Sequence, residues 1–301
     1  MTFRYALVWL ITFFFLVALP AISCQQKQSN IHHKVKEIGH LSSKVKESSG
    51  LALAGDQGFW THNDHGNKPN LYKIDKKGKR LETVKFDNIT NIDWEDLTED
   101  DAGYLYIGDF GNDNNDRKDL VIYKVLKTNL LPDVSNIPVE KISYKYPDQT
   151  KFPPKKKQRL FDVEALFYKD NFLYLLTKDQ SHPPIDSSRL YRLPNRPGYH
   201  TAKHIGTFKT KSKKNKGQIT GAALSPSGNK IAVTSNEEIW IFRNFRGDKF
   251  FDGTEEYMSL IKGLQVEAVV FTNECTLYLT CEQNDKSKAS LFTIDLCSNQ
   301  E

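Results

Sequence analysis

The chain alternates short apolar and polar runs instead of following the three-to-four-residue spacing of an amphipathic helix. Segments such as "CTLYLTC", which begins at Cys275, place apolar side chains at every second position. Gly, Asn, Asp and Pro bound most of these segments, and turns favour these residues. A two-residue periodicity with frequent turns predicts an all-β protein.

A strand, turn, strand pattern occurs five times, at a period of about 50 residues. The copies begin at Ser48, Asp93, Asp162, Ile219 and Gln265 and read "SSGLALAGDQGFWTHNDHG", "DWEDLTEDDAGYLYIGDFG", "DVEALFYKDNFLYLLTKDQ", "ITGAALSPSGNKIAVTSNE" and "QVEAVVFTNECTLYLTCEQ". A third strand follows each copy, in the segments "NLYKID", "DLVIYKV", "RLYRL", "EIWIF" and "SLFTIDL". This repeat is typical of a β-propeller, and we predict five blades.

The segment "HHKVKEIGHL", which begins at His32, has the pattern of a strand but belongs to none of the five copies. The last copy lacks a fourth strand before the chain ends at Glu301. We predict that the N-terminal strand joins the last blade and closes the ring, because closure removes a sheet edge. The repeat is also compatible with a solenoid or a β-sandwich, but the lone strand at the opposite terminus favours one propeller domain over residues 33–301.

The first 23 residues have the pattern of a secretory signal peptide. Arg4 precedes an apolar run, and "PAISCQQ" places small residues just before Cys24. The cut before Cys24 resembles that of a bacterial lipoprotein, although an ordinary signal peptidase would cut at the same bond. We expect lipidation at Cys24, a polar tether over residues 24–32, and a membrane-anchored protein of the bacterial outer membrane or cell surface.

An exported chain can retain disulfides, and three cysteines lie in the last copy of the repeat. Cys275 opens one strand and Cys297 ends the next, so a hairpin would place them opposite each other. This arrangement favours a Cys275–Cys297 bridge and leaves Cys281 as a free thiol, although three cysteines alone do not fix the pairing.

The charge balance is mildly basic, with 42 Lys and Arg against 37 Asp and Glu. Both signs are mixed along most of the chain, so we expect no nucleic-acid partner. We expect a monomer that binds a small anionic ligand or a protein partner.

One aligned position opens the innermost strand of every blade and points at the central channel. Its residues are Ser49, Glu95, Glu164, Thr220 and Glu267. Three carboxylates about 6 Å apart would repel by roughly 3 kcal/mol per pair at an effective dielectric constant near 20. The ring therefore needs protonation or a cation, and its oxygen-only chemistry favours Ca²⁺ over Zn²⁺ or Fe. Alternatively, the glutamates bind only backbone groups and channel water.

A second aligned position ends the second strand, which returns to the same mouth of the channel. Its residues are Asp64, Asp109, Asp179, Ser235 and Glu282. We expect Asp64, Asp109 or Asp179 to activate water if the protein is an enzyme. Acids at strand ends also shape turns, which is the competing interpretation.

Other residues near the predicted mouth are candidates for ligand binding. The two lysine-rich stretches that contain Lys156 and Lys214 enter inner strands, and their charge suits an anion. His65 follows Asp64 directly, so it is a candidate base. We expect His65, Glu282, Lys156 and Lys214 to contact the ligand, although lysine-rich loops are commonly just solvated.

The inner-strand segments "DWEDL", "DVEAL" and "QVEAV" resemble those of the calcium-activated nucleotidases, also called soluble apyrases. The likeness covers the blade skeleton, and Thr220 stands where Ser is expected. It implies five blades around a central Ca²⁺ held by Ser49, Glu95, Glu164, Thr220 and Glu267. The same motifs are similar, more loosely, to phytase-type and esterase-like propellers.

Two functions follow from these patterns. The first is a calcium-containing binding module that takes a ligand or partner at its acid-lined mouth. The second is a Ca²⁺-dependent hydrolase of phosphoanhydrides or phosphoesters.

Overall fold

The computed structural model describes residues 29–30, 33–210, 217–285 and 287–298. Cys24, Lys214 and the predicted signal peptide lie outside these residues. Secondary structure is almost entirely β, with three short 3₁₀ helices in the described part, at Lys127–Asn129, Lys156–Gln158 and Phe250–Asp252. None of the described helices has the length and apolarity that a membrane crossing requires.

Five antiparallel sheets form the blades of a propeller, which confirms the predicted all-β, five-bladed architecture. Blade 1 comprises Ser48–Leu53, Gly58–Asn63, Asn70–Asp75 and Arg80–Lys85. Blade 2 comprises Trp94–Glu99, Tyr104–Asp109, Val121–Leu126 and Glu140–Lys145. Blade 3 comprises Asp162–Lys169, Phe172–Lys178, Ser187–Pro194 and Lys203–Lys209. Blade 4 comprises Ile219–Leu224, Lys230–Ser235, Glu238–Arg243 and Thr254–Ser259. Blade 5 comprises Val266–Phe271, Thr276–Cys281, Ser290–Asp295 and the N-terminal strand Val35–His40.

The first strand of each blade is innermost, and each inner strand contacts the inner strands of the two neighbouring blades. Blade 5 in turn contacts blade 1, so the five strands surround one central channel. Val35–His40 pairs antiparallel with Ser290–Asp295, and it supplies the outermost strand of blade 5.

Apolar side chains fill the five spaces between adjacent blades. Each space holds one cluster of buried residues drawn from both neighbours, such as Trp94 of blade 2 beside Trp60 and Leu71 of blade 1. Both faces of a blade are therefore buried, while its turns remain exposed.

Two short strands extend blades at their outer edges. Ser29–Asn30 pairs in parallel with the last strand of blade 4, and Gly198–Thr201 pairs in parallel with the last strand of blade 2. Outer edges covered in this way are less able to pair with another chain.

The predicted disulfide joins Cys275 and Cys297, whose Cα atoms lie 5.2 Å apart. Cys281 is a buried free thiol. The bridge connects the second and third strands of blade 5, close to the strand that closes the ring.

Candidate metal centre

Every inner strand carries a β-bulge near its start, after the first paired residue in four blades and after the second in blade 3. The bulges begin at Ser48, Trp94, Val163, Ile219 and Val266. The residues that occupy them are those predicted to ring the channel. A bulge redirects a side chain out of the regular alternation, and in blades 2, 3 and 5 the bulged residue is a glutamate that faces the channel mouth.

A cavity of about 670 Å³ opens at this mouth, and three of the five predicted ring residues line it: Glu95, Glu164 and Glu267. The two hydroxyl residues do not line it and are buried, with Ser49 and Thr220 each 3% exposed. The Thr220 hydroxyl donates to the Val266 carbonyl oxygen at 2.7 Å. The structure therefore places the ring residues of blades 2, 3 and 5 in the cavity wall, but not those of blades 1 and 4.

The second strands bring a further set of side chains to the cavity, namely Asp64, Lys178, Asn236 and Glu282. In each of these blades, the residue just before the bulge pairs with a residue of the second strand. The side chain that reaches the cavity belongs to the next residue along that second strand. In blade 2 this position is Phe110, which is fully buried, and Gly111 follows it. A Cβ on Gly111 would lie 2.1 Å from Glu95 Oε1, so the glycine leaves room for the Glu95 carboxylate.

Asp109 and Asp179 were predicted at the mouth, but neither lines the cavity. Asp109 is fully buried and forms an ion pair with Arg117 at 3.0 Å. Asp179 accepts hydrogen bonds from the backbone N–H groups of Ser181 and Ile185 at 2.9 and 2.7 Å. The predicted column was one residue out of register in these two blades and in blade 4, where Asn236 and not Ser235 lines the cavity. A shift of one residue moves a strand side chain to the opposite face. Both acids organise loops.

Lys178 lines the cavity in blade 3, at the position where the sequence analysis had predicted Asp179. Its Nζ atom lies 2.8 Å from Glu164 Oε1, and its side chain is 24% exposed. Burial alone would lower the pKa of Lys178, but Glu164, Asp162, Glu267 and Glu95 together raise it well above its usual value. The lysine is therefore a permanent positive charge among the acids of the mouth.

Two further acids lie two residues before the ring glutamates of blades 2 and 3. In the segments "DWE" and "DVE", Asp93 precedes Glu95 and Asp162 precedes Glu164. The same spacing in two blades was a signal in the sequence that the two aligned columns did not include.

The acids form two clusters whose ligand atoms lie within 4.8 Å of one another. One cluster, here called the blade 1–2 cluster, contains Asp64, Asp93 and Glu95. The other, the blade 2–3 cluster, contains Asp113, Asp162 and Glu164.

The blade 2–3 cluster is already supplied with hydrogen-bond donors. The Gln180 amide donates to Asp113 at 2.5 Å and to Asp162 at 2.7 Å. The backbone N–H of Asn112 donates to Asp162 at 2.6 Å, and Lys178 binds Glu164. Its negative charge is therefore partly compensated by the protein itself.

The blade 1–2 cluster has fewer donors. The backbone N–H of His65 donates to Asp64 at 2.6 Å, and the His65 ring contacts Asp93 at 3.1 Å. No described residue donates a hydrogen bond to Glu95, which is 9% exposed. Burial, with Glu164, Asp64 and Asp93 adding repulsion, raises the pKa of Glu95 well above its usual value. This carboxylate is the least compensated charge in the mouth.

The pKa values of four other carboxyls that line the cavity shift in the same direction. Burial is the main cause in each, and it raises the pKa of Asp64 to about 6, of Glu164 and Glu282 to about 7, and of Glu267 to about 8. Raised acid pKa values mean that the site holds more negative charge than its surroundings stabilise.

Asp96 follows Glu95 directly on the inner strand of blade 2 and is 1% exposed. Its carboxylate accepts hydrogen bonds from the backbone N–H groups of Leu97 and Leu166, both at 2.7 Å. It also interacts with the backbone N–H of Ala222 in blade 4, on a blade that is not adjacent to its own. Asp96 thus ties three blades together across the channel axis.

Of the four residues predicted to contact a ligand, two line the cavity, one does not, and one lies outside the described residues. His65 and Glu282 line the cavity, although the His65 ring pairs with Asp93 and not with Asp64. Lys156 lies on an exposed 3₁₀ helix and does not line the mouth. Lys214 lies outside the described residues.

No protein-family model matches the chain, and no curated protein matches it either. The PQQ-bound form of an aldose sugar dehydrogenase from Streptomyces coelicolor has a similar fold, with a TM-score of 0.52 and 10% identity over 88% of this chain and 98% of that one. A glucose dehydrogenase has a TM-score of 0.48, with 11% identity over 86% of this chain and 98% of that one. A streptogramin B lyase has a TM-score of 0.41, with 13% identity over 87% of this chain and 98% of that one.

At such low identity a structural likeness establishes the fold and not the activity. These comparisons give no family support to the predicted nucleotidase resemblance. The likeness to the aldose sugar dehydrogenase, at a TM-score of 0.52, supports the fold alone.

Proposed function

We propose that this propeller is a cation-dependent binding module, in which Asp64, Asp93 and Glu95 hold a Ca²⁺ ion at the channel mouth. The observation that carries the proposal is the buried Glu95 carboxylate, which receives no hydrogen bond from a described residue yet lies in a cluster with two other acids. At 4.8 Å and an effective dielectric constant near 20, each pair of charged carboxylates repels by about 3 kcal/mol. A divalent cation would convert that repulsion into attraction.

The donor chemistry suits calcium. The three ligands are carboxylates, and Asn236, Gln218 and Gln265 add neutral amide oxygens to the cavity wall. Ca²⁺ takes six to eight oxygen ligands in flexible geometry, so carboxylates with waters and an amide would complete its shell. Thiolate and imidazole ligands favour transition metals. Among the described residues that line the cavity there is one histidine, His65, and no cysteine.

A bound ion would leave part of the cavity free for a ligand. About 670 Å³ is within the range of small-molecule sites. A ligand with an oxygen donor would complete the ion's coordination, whereas a ligand with a positive charge would interact with Glu267 and Glu282 of blade 5, which also line the cavity.

PQQ, the cofactor of the structurally similar aldose sugar dehydrogenase, does not fit this mouth. PQQ carries three carboxylates, and the cavity is lined by eight acidic residues. Its basic side chains Lys178 and Arg117 are already paired with Glu164 and Asp109. We therefore propose no redox chemistry through PQQ.

The test is thermal unfolding with and without Ca²⁺, in protein first treated with a chelator. Ca²⁺ should raise the melting temperature of the wild type, and Glu95→Gln should remove most of that rise. Glu140→Gln is the matched control, because Glu140 is an exposed acid on the outer strand of blade 2. An equal rise in the wild type and in Glu95→Gln would refute the proposed site.

The second candidate is a Ca²⁺-dependent hydrolase of phosphoanhydrides or phosphoesters. Of the three acids predicted to activate water, Asp64 alone lines the cavity, so it is the base that this alternative requires. Phosphate release from nucleotides or phytate, compared with and without Ca²⁺, separates the two functions. Calcium binding without turnover favours the binding module.

We also propose that the propeller is tethered to a membrane through a lipid on Cys24. The support is the sequence pattern at the predicted cleavage point, since the residue lies outside the described part of the chain. Mass spectrometry of the mature protein tests this directly, and a mature form without acyl chains would contradict it.

A further inference from the structure

A second cavity lies on the outside of the propeller, between blades 2 and 3, and it differs in charge from the mouth. Its volume is about 530 Å³. The residues that line it come mainly from one connecting segment and include Lys151, Lys155, Lys157 and Arg189, with Asp148 and Phe161. The sequence predicted that the lysines of this segment rim the acid-lined mouth, but the structure gives them a pocket of their own.

The positive charge of this pocket is largely uncompensated. Asp148 is its one acidic residue, and both of its oxygens are occupied. Arg189 binds one of them at 2.6 Å, and the Tyr191 hydroxyl donates to the other at 3.1 Å. None of the three lysine ammonium groups forms an ion pair with any acid in the described part of the chain. Three cations therefore face the pocket without an anion.

The segment that carries the lysines is held in a defined conformation. Lys156–Gln158 forms a 3₁₀ helix, in which the Gln158 N–H donates to the Lys155 carbonyl oxygen at 2.7 Å. The neighbouring loop is attached to it, since the His182 N–H donates to the Lys156 carbonyl oxygen at 3.1 Å. Ordering charged side chains on a preformed loop lowers the entropy cost of binding.

The guanidinium of Arg189 is also fixed in place. It lies 5.0 Å from the centre of the Phe161 ring, in addition to its bond to Asp148. Its hydrogen bonds to Asp148 and Tyr191 both use Nη1, and guanidinium N–H groups match the geometry of carboxylate and phosphate oxyanions. The pocket thus combines a fixed guanidinium with lysine side chains that form no ion pair within the described residues.

We propose that this pocket binds a multivalent oxyanion of the phosphate type, through Lys155, Lys157 and Arg189. A phosphate or diphosphate group is small enough for the cavity and brings two or more negative charges to the unpaired ammonium groups of Lys155 and Lys157. Ammonium and guanidinium groups form the charge-assisted hydrogen bonds that recognise phosphate. The group is carried either by a small soluble molecule or by an anionic lipid headgroup.

The experiment uses inorganic pyrophosphate as the soluble probe, in the presence of a chelator so that Ca²⁺ plays no part. Calorimetry should show saturable binding to the wild type. Lys155→Gln/Lys157→Gln should weaken it by at least about tenfold, because each lost charged hydrogen bond is worth about a factor of ten. The matched control is Lys76→Gln/Lys77→Gln, which makes the same change of charge on an exposed turn of blade 1 and should bind like the wild type.

A second arm identifies the source of the anion. Vesicles that contain phosphatidic acid, whose phosphomonoester can carry two negative charges, are compared with vesicles of phosphatidylcholine alone in a flotation assay, with the same two double variants. Binding to phosphatidic acid that is lost in Lys155→Gln/Lys157→Gln but kept in the control assigns the pocket to a lipid headgroup. The proposal is overturned if the wild type binds neither probe, or if both double variants bind equally. Neither outcome depends on calcium at the mouth.

Discussion

Replacing Lys178 by methionine tests whether this lysine is the internal counterion of the acid-lined mouth. Methionine keeps much of the side-chain length but removes the charge. The Lys178 ammonium lies 2.8 Å from a Glu164 carboxylate whose side chain is 6% exposed. Breaking a buried ion pair on one side costs about 3–5 kcal/mol, because the remaining charge stays buried without a partner. We expect a loss of about 3 kcal/mol in the free energy of unfolding at pH 8, since Lys178 itself is partly exposed.

The loss should depend on pH. Burial raises the pKa of Glu164 to about 7 even with the lysine present, and removing the lysine would raise it further. Glu164 can therefore take up a proton at pH 5.5, and the penalty for the missing cation should shrink there. Added Ca²⁺ should recover part of the lost stability at pH 8, since a divalent ion supplies the missing positive charge.

Urea unfolding in a chelating buffer at pH 8 and at pH 5.5 measures these differences. Lys127→Met is the matched control, because Lys127 pairs with Glu99 at 2.6 Å on side chains that are both about one quarter exposed. That pair should be worth less than about 1 kcal/mol. A loss below 1 kcal/mol for Lys178→Met at pH 8, or a larger loss at pH 5.5, would refute the counterion role.

Three further predictions concern the same structure. Burial raises the pKa of Glu267 to about 8 and that of Asp64 to about 6, so these groups bind protons more tightly in the folded chain. The melting temperature of metal-free protein should therefore fall as pH rises from about 5 to about 8, and a rise over this range would contradict the assignment. Asp96→Ala should cost about 2–4 kcal/mol in urea unfolding, because it leaves buried backbone N–H groups without acceptors; a change below 1 kcal/mol would show that Asp96 does not tie the blades. Replacing Cys275 and Cys297 by serine opens a loop with a sequence separation of 22, which should cost about 3 kcal/mol by the chain-entropy model; unchanged stability would show that the bridge does not restrain the unfolded chain.

The blade count was readable from the sequence because one local signal repeats five times. Each copy carries the alternation of two strands and a turn, and these are properties of short segments. The ring glutamates were readable for the same reason, since every copy places one residue at the same bulge. The Cys275–Cys297 pairing followed from the strand pairing of a single hairpin.

The residues that line the mouth were only partly predictable from the sequence. Its second set of side chains depends on register, and an error of one residue exchanged Lys178 for Asp179 and assigned Asp109 to the wrong face. The position of the lysine-rich segment was not predicted correctly for a different reason. Tertiary contacts, and not the local sequence pattern, decide where a long connection lies. Lys155 and Lys157 are close in sequence to the inner strand of blade 3, yet they line a cavity outside the channel.

The most direct test of the calcium proposal is to locate the ion. Crystals grown with Ca²⁺ should show anomalous density with oxygens of Asp64, Asp93 and Glu95 at about 2.3–2.6 Å, the usual calcium–oxygen distance. A mouth without such density at saturating Ca²⁺, or an ion bound only by the blade 2–3 cluster, would contradict the account.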